Sequence, residues 1–300
     1  MTAIIGLVVV FVGVFGGFIA ESGPFGMLFQ PAEFLIIGGA AGGALVAATP
    51  PHVLQQLAEE IPAIFGPPRY TRQTYEELLQ CLYAIFQKAR REGFLQTEAD
   101  INDPHHSDLF GGFPSIVEDH HTLAFICDAL RLTMSYQAPP AIVELAMDVA
   151  METHHEEAGQ PAAAMSRVSD ALPGLGIVAA VLGIVISLQF LSAPAEVLGH
   201  HISAALIGTF LGLLLSYGMI QPLGVNMEGR ARDSARYYLC IREAIAAFIG
   251  GADPRISLEI ARQAIPSHLR PSAEEAEALL AGNARSDAQQ PSLEPAAVGA

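Results

Sequence analysis

The chain has 300 residues, of which 51% are hydrophobic and only 15% charged, with a mean hydropathy of +0.39. That composition is too apolar for one ordinary soluble domain and directs attention first to membrane spans. The formal net charge of −16 excludes nucleic acid as a partner, since phosphate binding needs clustered Lys and Arg.

Four stretches are long enough to cross a hydrocarbon core of about 30 Å, which takes roughly 20 apolar residues. They are 2–20, 34–53, 171–190 and 202–225, none with a charged residue inside. No basic segment precedes the first, so it reads as a retained span and not as a cleaved signal. The single Lys (Lys88) and every Arg lie between Arg69 and Arg167 or between Arg230 and Arg285, while the links 21–33 and 191–201 contain none. The positive-inside rule then places the long segments and both termini in the cytoplasm. The expected fold class is all-α: a polytopic membrane protein with four transmembrane helices and a helical cytoplasmic domain between spans two and three. The membrane expected is a cytoplasmic one.

Between spans two and three, the cytoplasmic segment 54–170 reads as helical. Tyr75, Leu78, Leu79, Leu82, Ile85, Phe86 and Ala89 recur at helical spacing within a run from Tyr70 to Phe94, and Gly93 stops it. Further helices are predicted over Ser115–Ser135 and Ala141–Glu157, with a turn-rich stretch at Asn102–Asp108. After span four, segment 226–270 holds two amphipathic patterns, Arg230–Phe248 and Ser257–Ala264. The acidic, Ser/Ala/Gln/Pro-rich segment 271–300 has the composition of a disordered tail.

The spans are rich in small residues. Gly38/Gly42, Gly39/Gly43 and Gly208/Gly212 are GxxxG pairs, and Gly174, Gly176, Ala179, Ala180 and Gly183 enrich span three. Small residues let helix backbones approach closely, a main source of helix association in lipid. The pattern predicts a tightly packed bundle and self-association.

Ion movement through hydrocarbon commonly uses an ionisable residue held inside it. Glu33 stands at one edge of span two and Asp170 at the edge of span three, so both read as interfacial, and a proton carrier is expected from another chain. Pro173 in the first turn of span three and Pro222 near the end of span four are candidates for kinks with a mechanical role. Ser187, Gln189, Ser203, Thr209 and Ser216 are the sparse polar groups of the spans. Hydroxyls there ordinarily satisfy a local carbonyl, and Thr209, between Gly208 and Gly212, is placed to face a partner helix. In the cytoplasmic segment Lys88, Arg90 and Arg91 end a helix and Glu98, Asp100 and Asp103 follow. That arrangement serves the helix dipole or a charged docking surface. Cys81, Cys127 and Cys240 lack metal or disulfide spacing and read as reduced thiols. The doublets His105-His106, His120-His121, His154-His155 and His200-His201 project about 100° apart on a helix and read as non-metal. No constellation for an enzyme is found, and no cofactor is expected.

Four stretches carry a resemblance: Gln30-Pro-Ala-Glu-Phe-Leu-Ile-Ile-Gly-Gly-Ala, Ala89-Arg-Arg-Glu-Gly-Phe, Ala171-Leu-Pro-Gly-Leu-Gly-Ile-Val-Ala-Ala-Val-Leu-Gly and Gly208-Thr-Phe-Leu-Gly-Leu-Leu-Leu-Ser-Tyr-Gly. In order and spacing they resemble the MotA family of flagellar motor stator subunits, within the MotA/TolQ/ExbB proton channel family, as far as about Arg270. The resemblance implies a fivefold ring around two copies of MotB, a single-span partner anchored to peptidoglycan whose membrane aspartate carries the proton. It implies that Arg90 and Glu98 engage the rotor protein FliG, that Pro173 and Pro222 couple proton passage to movement, and that Ala180 and Thr209 line the ion path. Sodium-driven relatives carry Thr at the position matching Ala180, so the ion implied is the proton. Asp128 and Glu144 match the family's acidic positions, whereas Ala150 departs from them. An ExbB/TolQ-type subunit is expected to have three spans, and a self-contained secondary transporter needs its own buried polar site.

Overall fold

Helix boundaries follow from where proline and glycine interrupt the apolar runs. The computed structural model describes residues 2–287, and no strand occurs among them. In chain order the helices are α1 (Thr2–Ala20), α2 (Phe25–Leu28), α3 (Pro31–Ala48), α4 (Pro51–Ile64), α5 (Arg72–Glu92), α6 (Phe94–Asn102), α7 (Asp108–Gly111), α8 (Pro114–Glu118), α9 (His120–Met134), α10 (Pro140–Ser187), α11 (Ala195–Leu213), a π-helical stretch Leu214–Ile220, α12 (Gln221–Ile249), α13 (Pro254–Ala264) and α14 (Ala273–Asp287). Four of these segments are long and apolar enough to span a membrane.

Several boundaries differ from those expected. Span two starts at Pro31 and stops at Ala48, because Thr49 precedes Pro50 and is held extended (φ −125°, ψ 129°). The 115–135 helix is split at Asp119, whose side chain caps α9 by accepting from the Thr122 amide. The predicted helix at 141–157 and span three are one 48-residue helix, α10, with Pro161 and Pro173 inside it. Most of the link 191–201 is already helical from Ala195. Where composition suggested a disordered tail, Ser272 opens α14. Its Oγ accepts from the Glu275 amide at 3.1 Å while a Glu275 carboxylate oxygen accepts from the Ser272 amide at 2.7 Å, a reciprocal capping box. Arg72 adds an ion pair to Glu275 at 2.7 Å. Residues 288–300 of that segment lie outside the described residues.

The chain divides into two compact units, Met1–Pro67 with Glu156–Ala231 and Pro68–His155 with Arg232–Ala300. The first unit holds the spans. Its interior is thin: Ile37, Ala41, Leu172, Ala179, Ile207 and Leu211 form one buried cluster, and Leu57, Ile64, Ala162, Met165, Leu223 and Met227 another. Large apolar side chains such as Val8, Val12, Val181 and Val185 point outward, as expected where hydrocarbon and not water is the solvent. Arg230 closes the end of α4 by donating to the Ala63 carbonyl at 3.0 Å.

The second unit has a conventional core. Leu78, Leu82, Ile85 and Phe86 of α5 pack with Ile126 and Leu130 of α9 and Ile241 and Ile245 of α12, all fully buried. Phe86 stacks on Phe248 with ring centroids 4.2 Å apart. Thr71 and Thr74 form the capping box that starts α5, and Gly93, at φ +90°, ends it in a conformation disfavoured for side-chain-bearing residues. The three cysteines are free and buried. Burial pushes the Cys127 thiol up to about 12 and raises the other two as well.

In the first unit, α10 and α11 meet through glycine. A Cβ on Gly176 would lie 2.9 Å from the Gly208 carbonyl oxygen, and one on Gly212 would lie 2.7 Å from the Leu172 carbonyl oxygen. Backbone atoms cannot yield as a side-chain end can, so the seam depends on hydrogen at these positions. Gly38, Gly39, Gly42 and Gly43 of span two have open space instead. Gly176→Ala is therefore expected to lower stability by about 1–3 kcal/mol, whereas Gly38→Ala should leave it unchanged or slightly raised. Thermal unfolding of the detergent-solubilised chain, followed by circular dichroism, checks the contrast.

Candidate functional site where spans two, three and four meet

Span two reaches the seam through its first turn. Pro31 supplies a preset φ at the first helical position, and Glu33 follows within the positive end of the helix dipole. Its side chain is only 6% exposed, and Oε2 is buried with no hydrogen-bond partner. The carboxyl lies against α11: a Cβ on Gly208 would sit 2.8 Å from Glu33 Oε2, 3.1 Å from the Ala180 amide nitrogen and 3.2 Å from the Ala179 Cβ. Three spans thus converge on one carboxyl. Glu33 keeps its expected place at the edge of span two, in the first turn of α3, with its side chain turned into the seam. Asp170 by contrast is exposed.

Ala180 is 7% exposed and packs into the seam, and Thr209, next to Gly208, is half-buried. The structure therefore brings Ala180, Glu33 and the Gly208 backbone together.

The two prolines lie further along the same helices. Pro173 is not in a first turn but in the interior of α10. It lacks an N–H, so the carbonyl four residues earlier, that of Ser169, loses its helical donor. A donor comes from the other span: Ser216 Oγ donates to the Ser169 carbonyl at 2.7 Å, and the two hydroxyls are 3.1 Å apart, fully buried. Pro222 likewise brings no N–H to its helix. The turn before it is widened into the π-helical stretch Leu214–Ile220, with the Gln221 amide donating to the Ser216 carbonyl. Such π stretches cluster at functional positions in helices. Ser216 sits at the crossing of both effects. From sequence its hydroxyl read as satisfying a carbonyl of its own helix; the signal pointing elsewhere was Pro173, four residues beyond Ser169.

In the second unit Arg90 ends α5 and pairs with Asp253 at 2.9 Å, both about half exposed. Glu98 lies on α6 and accepts from the Ser135 hydroxyl at 2.6 Å. Lys88 pairs with Asp100 at 2.7 Å. Asp128 pairs with Arg131, while Glu144 and Asp148 share Arg242. Hydrogen bonding to Asp148 raises the Arg242 guanidinium further above its ordinary range. His154 donates to or accepts from the Ser234 hydroxyl at 2.8 Å and packs, tilted, against Tyr238.

Comparison with known proteins places this geometry. The chain is 38% identical over 272 residues to motility protein A of Salmonella typhimurium, covering 91% of this chain and 92% of the relative. The chain belongs to the motility protein A family. Two family models match it, "Motility protein A N-terminal" over residues 4–93 and "MotA/TolQ/ExbB proton channel family" over residues 118–235. The first takes in spans one and two with α5, and the second takes in spans three and four. Chemotaxis protein LafT of Vibrio parahaemolyticus is 34% identical over 281 residues, covering 94% of this chain and 99% of the relative. The same fold appears in the flagellar MotAB stator complex from Bacillus subtilis, with a TM-score of 0.72 at 23% identity over 90% of this chain and 98% of that one. It appears also in C. jejuni MotAB, with a TM-score of 0.74 at 20% identity over 91% and 98%. Within this motility protein A fold the sequence-predicted residues fall into two groups: Pro173, Ala180, Thr209 and Pro222 in the spanning unit, Arg90 and Glu98 in the other.

Removing the donor at the proline site tests its weight. Ser216→Ala leaves the Ser169 carbonyl buried and unpaired, which costs about 1–3 kcal/mol. The expected outcome is a lowered unfolding midpoint of the solubilised chain, and a loss well beyond that of Ser203→Ala, whose hydroxyl is only half-buried.

Proposed function

We propose that this chain is the membrane subunit of a proton-driven flagellar stator, forming a ring around a single-span, peptidoglycan-anchored MotB-type partner. The likeness to motility protein A along nine-tenths of both chains carries the reading. Four spans, a carboxyl-bearing seam and two proline-weakened helices support it. In this account both termini face the cytoplasm of a bacterial inner membrane, since the basic residues lie on one side of the spans. The open glycine face of span two, at Gly38, Gly39, Gly42 and Gly43, suits contact with a neighbouring copy.

The partner's membrane carboxylate moves the proton between the two sides. One charge crossing the membrane releases about 2.3 kcal/mol per 100 mV. Each transfer is thus worth several times RT and suffices to shift an equilibrium between two helix arrangements. Pro173 and Pro222 are where such arrangements differ: each removes one backbone bond, and the π-helical turn beside Pro222 has an alternative, tighter α-helical form. Thr209 and Ala180 line the path, and Ala180 offers only a methyl, so a dehydrating sodium ion finds too few oxygens. Arg90 and Glu98 present opposite charges at the cytoplasmic unit for FliG. An exposed pair such as Arg90–Asp253 is worth only about 0–1 kcal/mol, so Arg90 exchanges partners at little cost.

The ion and the need for a partner are tested together. Proteoliposomes holding this chain with its partner should conduct protons, and those holding the chain alone should not. Rotation in cells should persist when external sodium is replaced by potassium and stop with a protonophore. Rotation that stops without sodium and survives the protonophore contradicts the account.

A further inference from the structure

We infer that Glu33 is a proton-exchange site contributed by this chain itself, where the first turn of span two meets the Gly208 face of span four, in addition to any carboxyl supplied by the partner. The inference rests on the stator reading and adds a second titrating group to the path.

Burial, orientation and steric fit carry it independently. Burying an unpaired carboxylate in an apolar setting costs several kcal/mol or more, so a carboxyl kept there takes up a proton or meets a compensating group. Glu33 Oε2 is buried and unpartnered. Oε2 lies against the Gly208 position, and the other atoms closest to that position, the Ala180 amide nitrogen and the Ala179 methyl, are uncharged. On the helices packed against it the nearest titratable groups in sequence are His200 and His201 on α11 and Asp170 on α10. His201, stacked on Phe190, is seven residues before Gly208, about 10 Å along the helix at 1.5 Å per residue. Asp170 is ten residues before Ala180, about 15 Å away by the same rise. Neither is placed to pair with the carboxyl, and a metal cation would need several oxygens where this site offers one carboxyl among alkyl and amide groups.

The carboxyl is seated against position 208: a Cβ there would press on Oε2, the movable end of a side chain, and on the Ala180 backbone, which yields less, so the glycine serves the close approach of α10 and leaves space that the acid occupies. A carboxyl in this place can take up or release a proton when water or a partner carboxyl reaches it. The step is simple: a proton from water or from the partner's acid forms an O–H bond on Glu33, and the same bond breaks when the proton leaves.

The test uses the chain co-assembled with its single-span partner. Glu33→Gln keeps size and polarity and cannot exchange a proton; Glu33→Asp keeps the acid; Glu21→Gln, at an exposed loop position, is the control. With membrane level and partner binding unchanged, Glu33→Gln is expected to cut proton flux into liposomes by about tenfold or more, with Glu33→Asp retaining part of it and Glu21→Gln all of it. Infrared difference spectra between acid and alkaline pH should contain a carboxylic-acid carbonyl band that Glu33→Gln removes. An assembled Glu33→Gln complex with wild-type flux overturns the inference. If that variant does not assemble, Glu33→Asp decides: an assembled Glu33→Asp complex whose flux and pH profile are identical to wild type overturns the inference. Failure of the wild-type complex itself to conduct protons would instead sink the stator reading, so the two failures are told apart.

Discussion

Everything in the spanning unit depends on the contact between two helix backbones where no side chain intervenes. Lipid tails are as apolar as the side chains of a span, so burying Val or Leu against a neighbour gains little, and association falls to close packing. Gly176, Gly208 and Gly212 allow that packing by bringing α10 against α11 at backbone distance. The same closeness has two chemical results. It leaves beside Gly208 a space that the Glu33 carboxyl occupies, and it brings the Ser216 hydroxyl within reach of the Ser169 carbonyl.

The second result bears on dynamics. A proline inside a membrane helix leaves a carbonyl that water cannot satisfy, and neighbouring hydroxyls and local π adjustments take over. Both devices occur here within one pair of helices: Ser216 answers Pro173, and the widened turn answers Pro222. A carbonyl served by a side chain from another helix is released by a small relative shift, which a regular helical bond does not allow. Sequence thus builds compliance into spans three and four and stiffness into the second unit, whose aromatic stack Phe86–Phe248 and fully buried aliphatic core resist movement.

How far the sequence disclosed this depends on the kind of signal. Span number and helical class were legible because apolar run length and charge asymmetry are properties of composition alone. The Gly208/Gly212 pair was read as a packing face, and it is one; Gly38/Gly42 looked identical and has nothing against it within the chain, because a motif does not name its partner. Pro173 read as a first-turn residue only because helix starts were inferred from where apolarity begins, and α10 runs through that point without a break. Glu33 was read as an edge residue and does stand in the first turn of its helix; what the sequence did not disclose is that its side chain is buried against Gly208. The helix after Ser272 hid behind composition, although Ser272-Ala-Glu-Glu275 has the spacing of a capping box. Arg90 and Glu98 came from family resemblance, and the pairing of Arg90 with Asp253, 163 residues away, had no local signature.

The central claim is that the seam and the buried carboxyl are one construction, with the Glu33 carboxyl seated against the glycine at 208. A double-mutant cycle on Gly208→Ala and Glu33→Ala, read as unfolding free energy in detergent, tests it most directly. The account predicts that Gly208→Ala costs less when Glu33 is already alanine, with a coupling of about 0.5–3 kcal/mol for groups in contact. Additive effects of the two substitutions would contradict it.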